Sequence, residues 1–156
     1  MFILNQKDIL IISSLRNNAR ETLTNISKKT NVPISTIYDK LKSYEKSLIR
    51  KHTSLLDFNK LGFNARANIM IKVDRSVRDE IKDHLIKHQN INSVYKINNG
   101  FDFLIEGIFK NMKDLEDFME NLEDKFQIKN KQIHYIIDDI KRESFMGDPL
   151  TFDLVK

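Results

Sequence analysis

Four histidines, His52, His84, His88 and His134, and no cysteine make up the chain's imidazole and thiol chemistry. The lack of cysteine removes disulfides, thiolate zinc sites, iron–sulfur clusters and cysteine nucleophiles together, and it points to a reducing compartment. His84 and His88 stand four residues apart, a spacing that can set two metal ligands on one helix face. Asp83 and Gln89 are poor supplements and no third ligand is evident, so a partly exposed helix face is expected and no metal. The acidic pairs Glu116–Asp117 and Asp138–Asp139 read as solvated surface. No glycine-rich phosphate loop, nucleophile elbow or HExxH sequence occurs. The expectation is a protein that is not an enzyme and carries no cofactor.

The basic side chains say more, because they are unevenly placed. The formal charge is +4 on 156 residues. Residues 1–62 hold 11 Lys and Arg against 5 Asp and Glu, a balance of +6, leaving 15 against 17, or −2, for residues 63–156. That asymmetry implies two modules, the first facing something anionic. Lys28, Lys29, Lys40, Arg50, Lys51 and His52 are its phosphate-contact candidates. Such contacts confer affinity without sequence information and weaken steeply with salt.

The elements that must position these groups follow from periodicity. Residues 8–15 place Ile11, Ile12 and Leu15 at helical spacing, with Asn17 and Asn18 as the stop. Thr22 caps a second helix through Leu23 and Ile26, and Asn31 is the residue type that ends helices in the left-handed conformation. After Pro33, which suits a helix start, Ile34, Ile37, Leu41, Tyr44 and Leu48 step by 3 and 4 along one stripe. Three short helices make a helix-turn-helix. Residues 48–54 look extended with a basic tip, so a short strand pair, a wing, is expected there. Residues 55–62 read as a linker.

From Ala65 the period becomes two, with Ala65, Ala67, Ile69, Ile71 and Val73 on one face. Residues 75–88 return to helical spacing, 91–97 are extended, and Asn98-Asn99-Gly100 is a strong turn signal. A strand over 101–109, a helix carrying Leu115, Phe118, Met119, Leu122 and Phe126, and a strand over 133–137 complete a ferredoxin-like βαββαβ order. Both helices should cover one sheet face. Met70, Leu104, Ile108 and Ile136 fall on the other, an apolar face expected to pack against a second copy. The expected class is α+β, with residues 1–52 a winged helix-turn-helix, 53–62 a linker and 63–156 a ferredoxin-like domain. Apolar runs of four residues, as at 9–12, fall far short of the ~20 that span a bilayer. The first apolar residues precede Asn5, Gln6, Lys7 and Asp8, the wrong order for a secretion signal, so a cytoplasmic protein without a membrane partner is expected.

In these residues the chain resembles the Lrp/AsnC, or feast/famine, transcription regulators of bacteria and archaea. Leu4-Asn5-x-x-Asp8 with Ile11-Ile12, Leu15 and Ala19-Arg20 is similar to the family's opening helix, Asn5 standing where Asp is usual. Pro33-Ile34-Ser35-Thr36-Ile37 with Leu41 and Glu45 resembles its recognition helix, Leu55-Leu56-Asp57 with Leu61-Gly62 its linker, and Asn99-Gly100-Phe101-Asp102 its effector-domain turn. Pro33 replaces the usual serine cap, and Ser47 the usual glycine. The family's recognition helix usually carries several arginines. Here that surface has Asp39, Lys40, Lys42 and Ser43, which leaves the DNA sequence unspecified. The tail over 143–156 extends beyond the pattern.

The resemblance implies a regulator that binds double-stranded DNA as a homodimer, assembling to tetramers or octamers and responding to an amino-acid effector. Ser35, Thr36, Tyr38, Asp39 and Lys42 lie off the buried stripe of the third helix, where a helix in the major groove meets base edges. By the resemblance, Asn98, Asn99, Gly100 and Asp102 would lie at the effector site, although a plain hairpin turn also accounts for them. Two other readings stay open. Siroheme decarboxylases resemble the same two-module architecture, but residues 17–23 lack their Phe-Pro-Leu-type motif. A partner or sensing module without DNA binding is the other.

Overall fold

The computed structural model describes residues 4–151. The chain divides into two compact units: the first comprises 4–55 and 140–151 of the described residues, and the second is Leu56–Asp139.

The first unit is built on three helices, α1 (Gln6–Asn17), α2 (Leu23–Thr30) and α3 (Ile34–Ser47). Asn5 opens α1 with a reciprocal cap: its side chain accepts from the Asp8 N–H while the Asp8 carboxylate accepts from the Asn5 N–H. Thr22 caps α2, and Asn31 closes it at φ 53°. Pro33 starts α3 with no side-chain cap. Ile11, Ile12, Ile26, Val32, Ile37 and Tyr44 form the core, with Leu4, Leu15, Leu23, Ile49 and Met146 packed around it. The expected wing is not formed: residues 49–57 carry no strand. Leu48 and residues 50–57 are exposed, so no buried face exists to fix a register.

The second unit runs β1 (Ala65–Val73), α4 (Arg78–Lys87), β2 (Ile91–Lys96), β3 (Phe103–Phe109), α5 (Met112–Lys125) and β4 (Ile128–Tyr135). The strands form one antiparallel sheet in the order β2-β3-β1-β4, the ferredoxin-like arrangement. Strict alternation in β1 buries Ala65, Ala67, Ile69, Ile71 and Val73 against the helices. Ile81 and Leu85 of α4, and Leu115, Phe118, Met119 and Leu122 of α5, complete that core. β4 starts five residues earlier than its apolar pattern predicts, because Ile128, Asn130, Lys131 and Gln132 pair with β1 at an exposed sheet edge, Lys129 standing at a shift of register.

The tail corrects the expected boundary. Residues 140–151 group with the helical unit, not with the sheet domain to which the sequence reading assigns 63–156. The physical reason is a set of hydrogen bonds to α1, described below. Phe152, Leu154 and Val155 lie outside the described residues.

Candidate nucleic-acid interface and ligand-binding domain

α3 sorts its side chains cleanly. Ile37 and Tyr44 are buried and Leu41 half-buried, while Ser35, Tyr38, Asp39 and Lys42 are exposed and Thr36 is half-buried. The Lys42 ammonium lies 4.4 Å from the centre of the Tyr38 ring, one helical turn away. Contact with the Tyr38 side chain pushes its pKa further above the usual lysine value.

The phosphate-contact candidates split into two groups. Lys28, Arg50 and Lys51 are exposed. Lys29 is tied to Glu21 at 2.6 Å and His52 to Glu45 at 3.4 Å. Lys40 is the clear departure: its ammonium turns inward to the Asp8 carboxylate at 2.5 Å, and the Tyr44 hydroxyl donates to the same oxygen at 2.5 Å. Burial alone would raise the Asp8 pKa, but the bonds from Lys40, Tyr44 and the Asn5 backbone outweigh it and hold the carboxyl below its ordinary value. The same environment pushes the Tyr44 phenol well up. Asp8 thus joins α1 to α3, a role that the sequence reading did not assign; its place in the opening-helix motif was the available signal.

In the second unit, Asn98, Asn99 and Gly100 form an exposed turn between β2 and β3, with Asn99 at φ 62° and Gly100 at φ 94°. Asp102 does not face this turn freely. Its carboxylate meets the Arg78 guanidinium at 2.5 Å and accepts from the Val73 N–H at 2.9 Å, stapling α4 and β1 to the start of β3. The Arg78 Nε is buried without a hydrogen-bond partner.

The sheet face away from the helices is mixed. Met70 stands opposite Leu104, and Arg66 opposite Ile108. The Ile136 N–H donates to the Arg66 carbonyl, extending the ladder. Met70, Leu104 and Ile136 are half-buried, whereas Ile108 is already 8% exposed within one chain. Among these apolar groups Arg66 bridges Glu106 at 2.9 Å and Asp139 at 2.7 Å, and Asn92 and Ser93 donate to Glu106. The face carries a charged centre that the sequence reading, attentive to its apolar residues, did not foresee.

His84 and His88 line a shallow groove with Phe118, Leu122 and Lys125. The Asn90 N–H donates to His88 Nδ1, and Lys125 Nζ lies 3.3 Å from His84 Nδ1. The His88 ring meets Phe118 edge-on at 4.8 Å. Among the described residues no three potential ligands converge on a metal position, and no helix is long and apolar enough to cross a membrane.

Comparison with known proteins agrees with both units. The family model described as the Lrp/AsnC ligand binding domain matches residues 66–145. The HTH-type transcriptional regulator FL11 of Pyrococcus furiosus is 32% identical over 119 residues, 76% of this chain and 79% of that protein. A transcriptional regulator of Neisseria meningitidis, solved as an L-Met complex, superimposes with a TM-score of 0.82 at 20% identity, covering 89% of this chain and 93% of that one. LrpC of B. subtilis does so with a TM-score of 0.81 at 19% identity, covering 90% and 99%. Helix-turn-helix, ligand-binding sheet domain and sequence identity together make this chain a member of the Lrp/AsnC family of DNA-binding transcription regulators.

Proposed function

We propose that the chain binds operator DNA through the outward face of α3, as a dimer formed by its second unit, and that an amino acid modulates that binding. The observation that carries the reading is the sorting along α3, which keeps Ser35, Tyr38, Asp39 and Lys42 in solvent over a core of Ile37 and Tyr44. Side chains so placed can reach base edges in the major groove. Lys28, Arg50 and Lys51 supply phosphate contacts from the same unit. Lys29 and His52 contribute only on leaving their acidic partners, and Lys40 serves the fold.

For the dimer, Met70, Leu104, Ile108 and Ile136 surround the Arg66–Glu106 pair on one sheet face. A two-fold axis would bring each such patch onto its own copy. Further assembly to tetramers or octamers belongs to the same proposal. The neisserial regulator's L-Met complex supports a small amino acid as the effector class. Asn98, Asn99 and Gly100 offer backbone groups for it, whereas Asp102, engaged by Arg78, serves as a support. The relatives are named as regulators, which supports a regulatory rather than catalytic role in the cytoplasm, where the DNA is.

Footprinting on the promoter of the chain's own gene tests the reading. A protected site that survives competitor DNA and weakens with salt is expected; no competitor-resistant complex at any salt concentration would overturn it. Solution mass with and without a panel of amino acids tests the assembly and effector parts.

A further inference from the structure

We infer that α1 carries a docking surface for the chain's own segment 143–149, which acts as a releasable clasp on the DNA-binding unit. Three side chains on the last turns of α1 read the backbone of that segment. Arg16 donates to the Phe145 carbonyl at 3.0 Å and to the Glu143 carbonyl at 2.8 Å, and meets the Glu143 carboxylate at 3.1 Å. Ser13 and Asn17 both donate to the Gly147 carbonyl, at 2.8 and 2.5 Å. Between these carbonyls, Met146 inserts against the core of Ile11, Ile12, Ile26, Val32, Ile37 and Tyr44.

Two features make the clasp releasable. Glu143 and Met146 are held at φ 51° and 64°, left-handed values that cost a side-chain-bearing residue energy and persist only while surrounding contacts enforce them. Arg16 and Glu143 are also well exposed, so their pair adds little in water. Two features make it consequential. Among the described residues the unit buries six apolar side chains in this core, and a core of that size gains proportionally from one more apolar contact. The chain also enters the second unit after residue 55 and returns after residue 139, so the clasp joins two stretches of the first unit that the sheet domain separates in sequence. The contacts named above all fall on α1 and the core, not on Ser35, Tyr38, Asp39 or Lys42, so they leave the proposed recognition face open.

The test uses the full chain without DNA, so its outcome is independent of the operator reading. Lys141 and Arg142 are trypsin sites at the edge of the segment. The variant Arg16→Ala/Asn17→Ala removes two of the three donors, leaving Ser13, while inserting the best helix former, so α1 itself is not weakened by propensity. First cleavage at 141–142 should accelerate about tenfold relative to wild type, with faster amide exchange in α1 and unchanged exchange in β1–β4. Met146→Ser, which alters only the segment, should do the same and guards against a folding defect in α1. Equal cleavage rates in wild type and both variants overturn the clasp. Acceleration accompanied by equal loss of protection across the sheet overturns its local character.

Discussion

The ammonium of Lys40 lies 2.5 Å from Oδ1 of Asp8, an oxygen that also accepts the Tyr44 hydroxyl. One carboxylate, 5% exposed at its side chain, therefore fixes two positions on α3. Asp8→Ala removes the acceptor that the Tyr44 phenol and the Lys40 ammonium share, and with it half of the α1 cap. A loss of about 2–3 kcal/mol is expected in the denaturant unfolding of the first unit. Because the folded pKa is depressed, this stabilisation is complete above the ordinary value of 3.8 and disappears as pH falls through the folded value. Acid unfolding of wild type and variant should converge at low pH.

Lys40 and Lys42 are two residues apart and should behave oppositely. Lys42→Ala should lower affinity for the operator by about tenfold or more while leaving binding to unrelated DNA little changed. Lys40→Met should leave operator affinity of the folded protein nearly unchanged and lower the unfolding midpoint. Equal operator preference in wild type and Lys42→Ala would refute the assignment.

The imidazoles on α4 predict a pH dependence in the second unit. Burial lowers His84 and His88 below their ordinary 6.5, with Lys125 adding to the effect at His84 and His84 at His88. The unfolded chain then binds more protons than the folded one just below 6.5, so stability falls as pH drops through that value and levels off below the folded pKa values. Urea midpoints at pH 7.5 and 5.5 should separate in wild type and draw together in His84→Gln/His88→Gln.

Gly107 sits where β3 has room for no side chain. A Cβ there would lie 2.5 Å from Cε2 of Phe109, whose ring is buried and meets that of Phe118 at a tilt, centres 5.3 Å apart. Gly107→Ala should destabilise the second unit by about 1–3 kcal/mol through overpacking. Thermal unfolding would show an unchanged midpoint if the ring could simply rotate away.

Asp102→Asn should loosen the junction of α4, β1 and β3 whether or not an effector is present. A loss of about 1–2 kcal/mol in the unliganded protein is expected. A variant of wild-type stability would return Asp102 to the list of residues available to a ligand.

What the sequence made legible was local. The alternation from Ala65 to Val73 and the stripe through Ile37, Leu41 and Tyr44 were visible because burial repeats with the period of the element. The stripe's ends were not buried: Ile34 is 47% and Leu48 39% exposed, since the core of the first unit is too small to cover four turns. Partnerships between distant residues were not legible. Lys40 looked like any surface lysine until Asp8, 32 residues earlier, claimed it. Asp102 looked like a turn residue until Arg78 did the same. The first part of β4, ahead of the expected 133–137, was not legible because an edge strand is held there by backbone pairing between polar residues, which leaves no apolar pattern. The tail hid because α1 reads its carbonyls, which every residue has.

The return of residues 140–151 to α1 also sets an order of events. Synthesis delivers the three helices first, then the whole sheet domain, and only afterwards the segment that seats Met146. The helical unit, begun before the sheet domain, is completed after it. Until then Met146 is missing from its small core, and a chain that stopped between β4 and Met146 would carry a finished sheet domain and a helical unit without its clasp.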